Sequence, residues 1–177
     1  TVGSVFQNPK SQFFNLDTTS EVLFGLESRG ASHQEMEQAL SSAERVCGVG
    51  PLLDRNIFAL SGGEKQRIAC ASAYAMEPEV FVLDEPSSNL DDEGIRQLRE
   101  ILKQLKAAGK TILVAEHRLW YAVDMADRVF YLREGRLEQV YSGAEFLSLP
   151  EERRRAIGLR SLTAVSYTHL QPTRQAE

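Results

Sequence analysis

LSGGEKQRIACASAYAMEPEVFVLDEP, residues 60–86, holds a capped helix start, a helix rich in small side chains, a stop and an apolar strand in immediate succession. Ser61 and Glu64 form a capping box: the serine oxygen takes the amide three residues on, and the carboxylate reaches back to the serine amide. The helix is expected to run to about Met76. Ala69, Ala71, Ala73 and Ala75 suit close packing against a sheet, and Pro78 closes the segment. Residues 80–83 are a continuous apolar run ending in Asp84-Glu85-Pro86, the pattern of a strand buried on both faces.

The same alternation continues outward. Residues 92–108 form an amphipathic helix with Ile95, Leu98, Leu102 and Leu105 on one stripe and Gly109 as its stop. Residues 111–115 read as a second buried strand ending in Glu116-His117, and a helix is expected through Trp120 and Val123. Residues 129–132 and 137–141 flank Glu134-Gly135, a hairpin signal. Upstream, residues 2–6 are a short apolar segment and residues 20–27 are helical. Ser32-His33-Gln34-Glu35 is another capping box, opening a helix that Gly48 and Gly50-Pro51 end. Strand and helix in turn predict an α/β fold: a mainly parallel sheet flanked by helices.

Two places carry candidate chemistry. A serine and two glycines at a helix start present free N–H groups and the positive end of the dipole to an anion. Alone, Ser61-Gly62-Gly63 reads as readily as a simple capped helix as it does as an anion site. Asp84 and Glu85 stand at a strand's C-terminal tip, where open α/β sheets bind ligands. There an aspartate can hold Mg²⁺ and a glutamate can orient water, although a solvated acidic turn is the commoner fate of such a pair.

Together these stretches resemble the ABC-type ATPases. Residues 60–67 look like the signature motif, residues 80–85 like Walker B with its glutamate, and Ser88-Asn89-Leu90-Asp91 like the D-loop. His117 resembles the switch histidine, and Val5-Phe6-Gln7-Asn8-Pro9 the Q-loop. The resemblance implies a P-loop NTPase-like domain over residues 1–162. Its helical subdomain would span about residues 15–75 and its catalytic core residues 76–145.

It also implies ATP and Mg²⁺ as ligands. Gln7 would contact Mg²⁺ or the attacking water, and Asp84 would serve the metal. Glu85 would be the general base. His117 would bond the γ-phosphate. Ser61, Gly62 and Gly63 would grip the γ-phosphate of ATP held by the opposite subunit, with Glu64 standing where many members have glutamine. Asp91 would cross the dimer interface. Val5 to Phe13 and Val22 to Glu27 further resemble the ATPase subunits of energy-coupling factor (ECF) importers of vitamins or cobalt and nickel. The implied partners are transmembrane transporter subunits and a second ATPase subunit or cassette, at the cytoplasmic face of the membrane. Phe13, Phe14 and Phe24 read as packing residues near the groove for the membrane partner.

The sequence departs from the family in one respect. No Gly-rich loop with Lys and Ser/Thr, the family's phosphate-binding loop, occurs between Thr1 and Glu177. An N-terminal truncation that removes this loop and the first strands is expected, and the chain alone is expected to be inactive. Residues 163–177 lack the family pattern and read as an artefactual tail. A net charge of −5 argues against a nucleic-acid groove. Cys47 and Cys70 sit in helical patterns without metal-like spacing and read as reduced core thiols. Two other classes share these motifs: DNA-repair and chromosome-maintenance ATPases, whose long coiled coils are not seen between Gln7 and Ser61, and ribosome-associated ATPases with two cassettes. A non-catalytic ATP-binding subunit is opposed by Glu85 and His117.

Overall fold

The computed structural model describes residues 1–158, so residues 163–177 and His169 lie outside the described residues. The chain divides into two compact units, Thr1–Glu116 and a second beginning at His117.

The first unit is built on a three-stranded parallel sheet, ordered β1 (Val2–Val5), β2 (Val80–Asp84), β3 (Thr111–Ala115). β2 is central, with Phe81 beside Gly3 and Ile112, and Leu83 beside Val5 and Val114. Four helices accompany the sheet: α1 (Thr18–Ser28), α2 (His33–Cys47), α3 (Gly62–Ala75) and α4 (Asp92–Ala107). α3 packs on α1, α2, α4 and β1, so the small side chains at 69, 71, 73 and 75 sit at the centre of the unit.

The strands correct one expectation. Burial alternates along β2: Phe81 and Leu83 are buried, Val80 and Val82 only half-buried. On β3, Thr111, Leu113 and Ala115 are exposed. Successive side chains of a strand point to opposite faces. α3 lies on the Phe81 face, where Tyr74 stacks on Phe81 at 6.3 Å and a Cβ on Gly3 would come within 3.5 Å of Ala73. The apolar run therefore does not report burial on both faces among the described residues.

The helix boundaries follow the caps. Asp17 caps α1, its side chain accepting from the Ser20 amide. Ser32 and Ser61 form complete capping boxes with Glu35 and Glu64, and Gly48 ends α2 in the left-handed region at φ 64°. Ile95, Leu98, Leu102 and Leu105 are all buried, as their stripe predicts. Cys47 and Cys70 are free and buried, and burial pushes the Cys70 thiol up to about 12.

In the second unit, residues 119–125 form two 3₁₀ turns, Leu119–Tyr121 and Val123–Met125, rather than the expected helix. Neither turn has a capping side chain, and the segment is too short to offset a helix nucleus. β4 (Arg128–Arg133) and β5 (Arg136–Ser142) pair antiparallel through Glu134 and Gly135, both at positive φ, as a two-residue hairpin of the I′ kind requires. α5 (Gly143–Ser148) and α6 (Glu151–Ala156) follow. Val123, Tyr141 and Phe146 form this unit's small core, with Tyr141 edge-on to Phe146. Gly143 is required there, since a Cβ would lie 2.0 Å from the Ala126 carbonyl oxygen. Among the described residues no helix is long and apolar enough to cross a membrane.

The capping boxes make stability depend on pH. The Ser32 backbone N–H, then its hydroxyl, holds Glu35 below the usual carboxylate range. A depressed folded value stabilises the fold above the unfolded value of about 4.3. That contribution is lost as pH falls through the depressed value. Glu35→Gln should therefore lower Tm slightly at pH 7, and the difference from wild type should vanish in acid, once the pH is below the depressed value. A difference that persisted or grew in acid would contradict the assignment.

Candidate functional site

The start of α3 is exposed. Ser61 is the N-cap; its Oγ accepts from the Glu64 amide at 3.3 Å, and Glu64 Oε2 accepts from the Ser61 amide at 2.8 Å. This reciprocal pair uses two of the helix's initial donors and leaves the amides of Gly62 and Gly63 without intrahelical acceptors. The Ser61 amide is the main reason the Glu64 carboxyl sits below its ordinary range. Arg55, at 3.3 Å from Glu64 Oε1, offsets the acid's charge.

This helix start opens on a groove of about 440 Å³, lined by Ser61, Gly62, Gly63, Arg67, Asn89 and Asp91 among others. The glycines are there because backbone passes close by. A Cβ on Gly62 would lie 3.0 Å from the Asn89 carbonyl oxygen, and one on Gly63 would lie 3.4 Å from the Gly94 Cα. Asp91 caps α4, accepting from the Gly94 amide at 2.8 Å. Two helix N-termini thus meet at one open, polar, glycine-lined surface, the arrangement that suits a phosphate.

The second cluster forms at the tip of the sheet. β1 and β2 are register neighbours with Val5 beside Leu83, so Gln7 and Glu85, each two residues further on, fall together. The Gln7 amide donates to Glu85 Oε2 at 2.9 Å. Glu85 itself has φ 41°, in the left-handed region that non-glycine residues adopt uncommonly and that Asp54, Glu77 and Glu134 share; its N–H donates to the Ala115 carbonyl at 2.8 Å. Such strain concentrates at functional positions. The Asn89 side chain donates to the Gln7 carbonyl at 3.3 Å, and the Ser87 amide donates to Glu116 Oε2 at 3.2 Å. Asn89 therefore touches both clusters.

Asp84, the last residue of β2, is exposed beside Ala115. The described residues contain no group of three or more His, Cys, Asp or Glu able to hold a metal by themselves. Mg²⁺ binds through one or two carboxylates with waters and substrate phosphates, so a single exposed aspartate at a strand tip fits it. His117 is exposed and opens the second unit.

The structure thus joins Gln7 to Glu85, and Ser61, Gly62, Gly63 and Glu64 to Asp91. It adds Asn89, which the D-loop motif contains but to which no role was given, and Arg55, which lies outside the motifs. Asn89 could have been found as an amide-bearing residue in the turn between Glu85 and Asp91. Arg55 carries no local signal.

Comparison with known proteins gives a consistent set. A family model described as ABC transporter matches residues 1–88. A Treponema denticola protein named as an ABC transporter ATP-binding protein is 48% identical over 160 residues, covering 90% of this chain and 33% of the relative. A Pyrococcus horikoshii protein named likewise is 38% identical over 151 residues, covering 85% of this chain and 58% of that one. The solved structure of cbiO1 from Clostridium perfringens, described as part of the ABC transporter complex cbiONQ, superposes with a TM-score of 0.77 at 31% identity, covering 88% of this chain and 62% of that one. The chain spans from a third to about three fifths of these proteins' lengths.

Proposed function

Because this chain belongs to the ABC transporter ATP-binding family, we propose that it serves as the ATP-hydrolysing motor of a transporter, working as a dimer whose two nucleotide sites are each completed across the interface. The observation that carries this reading is the exposure of the Ser61 helix start on an open groove. A phosphate held by a second ATPase subunit or cassette can reach it there. In the chain's own half, the Gln7 amide and the constrained backbone hold the Glu85 carboxylate in one orientation, which suits a group that aims water and takes its proton. Asp84 is the residue for Mg²⁺, which would neutralise charge building on the phosphates.

An apolar patch supports docking on membrane subunits. Phe14, Leu16 and Phe58 are exposed, and Phe14 stacks on Phe24 at 4.8 Å. Glu21 is buried, and its carboxylate accepts from the amides of Phe14 and Asn15 at 2.9 and 2.8 Å, which fixes that loop. The likeness to cbiO1 supports an ECF-type importer for vitamins or for cobalt and nickel, with the motor at the cytoplasmic face of the membrane. Residues 15–75 and 76–145 are the proposed helical and catalytic parts of the domain.

Ser61→Arg tests the shared site. In the full-length protein it should abolish self-association driven by a non-hydrolysable ATP analogue, measured by sedimentation, while the monomer's nucleotide affinity stays within about threefold. Association equal to wild type would overturn the reading.

A further inference from the structure

Lys65 is an ionisable side chain that the mechanism does not use, yet it is only 7% exposed. Its ammonium donates to the carbonyls of Phe58, at 3.4 Å, and of Leu60. Its own N–H donates to the Ser61 carbonyl at 3.0 Å. Two penalties attach to this placement. Burying an ammonium removes its hydration. A cation in the first turns of a helix also faces the positive end of the dipole. The neighbouring carboxylate offers no relief, because Glu64 is taken up by the Ser61 amide and Arg55.

What the lysine does achieve is mechanical. The chain enters α3 through the 3₁₀ turn Ile57–Ala59, whose local bonds fall on the Asn56 and Ile57 carbonyls, while the Phe58 and Leu60 carbonyls accept from Lys65. One ammonium clamps the carbonyls on both sides of Ala59 to the first turn of the helix. The Leu60–Ser61 peptide plane then has little freedom. That plane sets the direction of the Ser61 Oγ and of the open amides at Gly62 and Gly63.

We propose that Lys65 is a positioning residue for the phosphate-gripping start of α3, locking the Phe58–Leu60 carbonyls so that Ser61 and the glycine amides are aimed before any phosphate arrives. The proposal deepens the reading given above and rests on it. Preorganised donors bind a developing or incoming charge without reorganisation, so losing the clamp should weaken the cross-subunit grip and leave the rest of the protein intact.

The test uses full-length protein and ATP-analogue-driven self-association. Lys65→Met should raise the association Kd about tenfold, the scale of one hydrogen bond to a charged group. Lys65→Arg, which restores a cationic donor, should return it to within about threefold of wild type. Nucleotide affinity of the monomer should not move in either variant. Lys65→Gln keeps one neutral donor and should fall between the two, which serves if Lys65→Met does not fold. The proposal is overturned if Lys65→Met or Lys65→Gln associates like wild type, or if Lys65→Arg is as defective as Lys65→Met. It is also overturned if monomer affinity falls in parallel with association. Ser61→Arg in the same assay separates the two claims. Its failure to block association would remove the phosphate site itself, whereas its success beside a silent Lys65→Met would remove only the lysine's role.

Discussion

Glu85→Gln in the full-length protein is expected to lower the steady-state rate of ATP hydrolysis by about 10²–10⁴-fold, the range contributed by a positioned general base. The substitution is nearly isosteric, and the groups that orient residue 85 survive it. Its amide still donates to Ala115, and the amide oxygen of glutamine can still accept from Gln7 at the position now held by Oε2. What is lost is the capacity to take a proton from water. The expected signature is therefore a fall in kcat with little change in KM, and ATP-driven association that persists because the nucleotide is no longer consumed. Phosphate release at saturating ATP, beside sedimentation in ATP, reads both. A kcat within about threefold of wild type would mean that Glu85 is not the base.

How far the sequence carried this picture depended on the range of the interaction. Caps are local, so Ser32, Ser61 and the stop at Gly48 were legible from a few residues each. The stripe Ile95, Leu98, Leu102, Leu105 was legible because helix period and burial agree. Residues 80–83 and 111–115 were legible as strands, but not which side they bury. An apolar run says what a side chain tolerates, while burial is decided by which elements lie over each face. Residues 119–125 show the same limit: helical spacing was present, but the turns found there are uncapped and short.

The candidate site divides along the same line. Its residues were identified by a motif resemblance, yet their grouping came from strand order. Gln7 meets Glu85 only because β1 lies next to β2, a pairing between segments 78 residues apart. Asp91 was read by resemblance as a D-loop residue, and its capping of α4, which holds its carboxylate within its own chain, was not read from the sequence. Lys65 was opaque for a different reason: a lysine in a helix reads as solvated, and its burial follows from the path of the preceding turn.

The same strand order makes Phe81 a side chain on which the cluster at the sheet tip depends. It is 1% exposed at the middle of the central strand, with Gly3 and Ile112 as its register neighbours and Tyr74 stacked on it. Phe81→Ala is expected to cost about 3–5 kcal/mol, the range for a large aromatic removed from a packed core. Collapse around the hole is restricted. Gly3 has no side chain to move in, and Pro78, whose Cγ is 2.8 Å from where a Gly3 Cβ would sit, already fills that approach. Set against a total stability of roughly 5–15 kcal/mol, the loss removes a large share of what holds β2 in place. β2 is the strand that delivers Asp84 and Glu85 to the tip and sets Glu85 beside Gln7. Urea unfolding of this chain carrying the substitution should show a lower midpoint with an unchanged slope, and hydrolysis by the full-length variant should fail at a temperature well below the wild type's. Val82, half-buried on the opposite face of the same strand, is the internal control. Val82→Ala should lose clearly less, because fewer packed atoms are withdrawn from a face that is already partly open. Equal losses at the two positions would mean that the Phe81 face is not the one that anchors the strand.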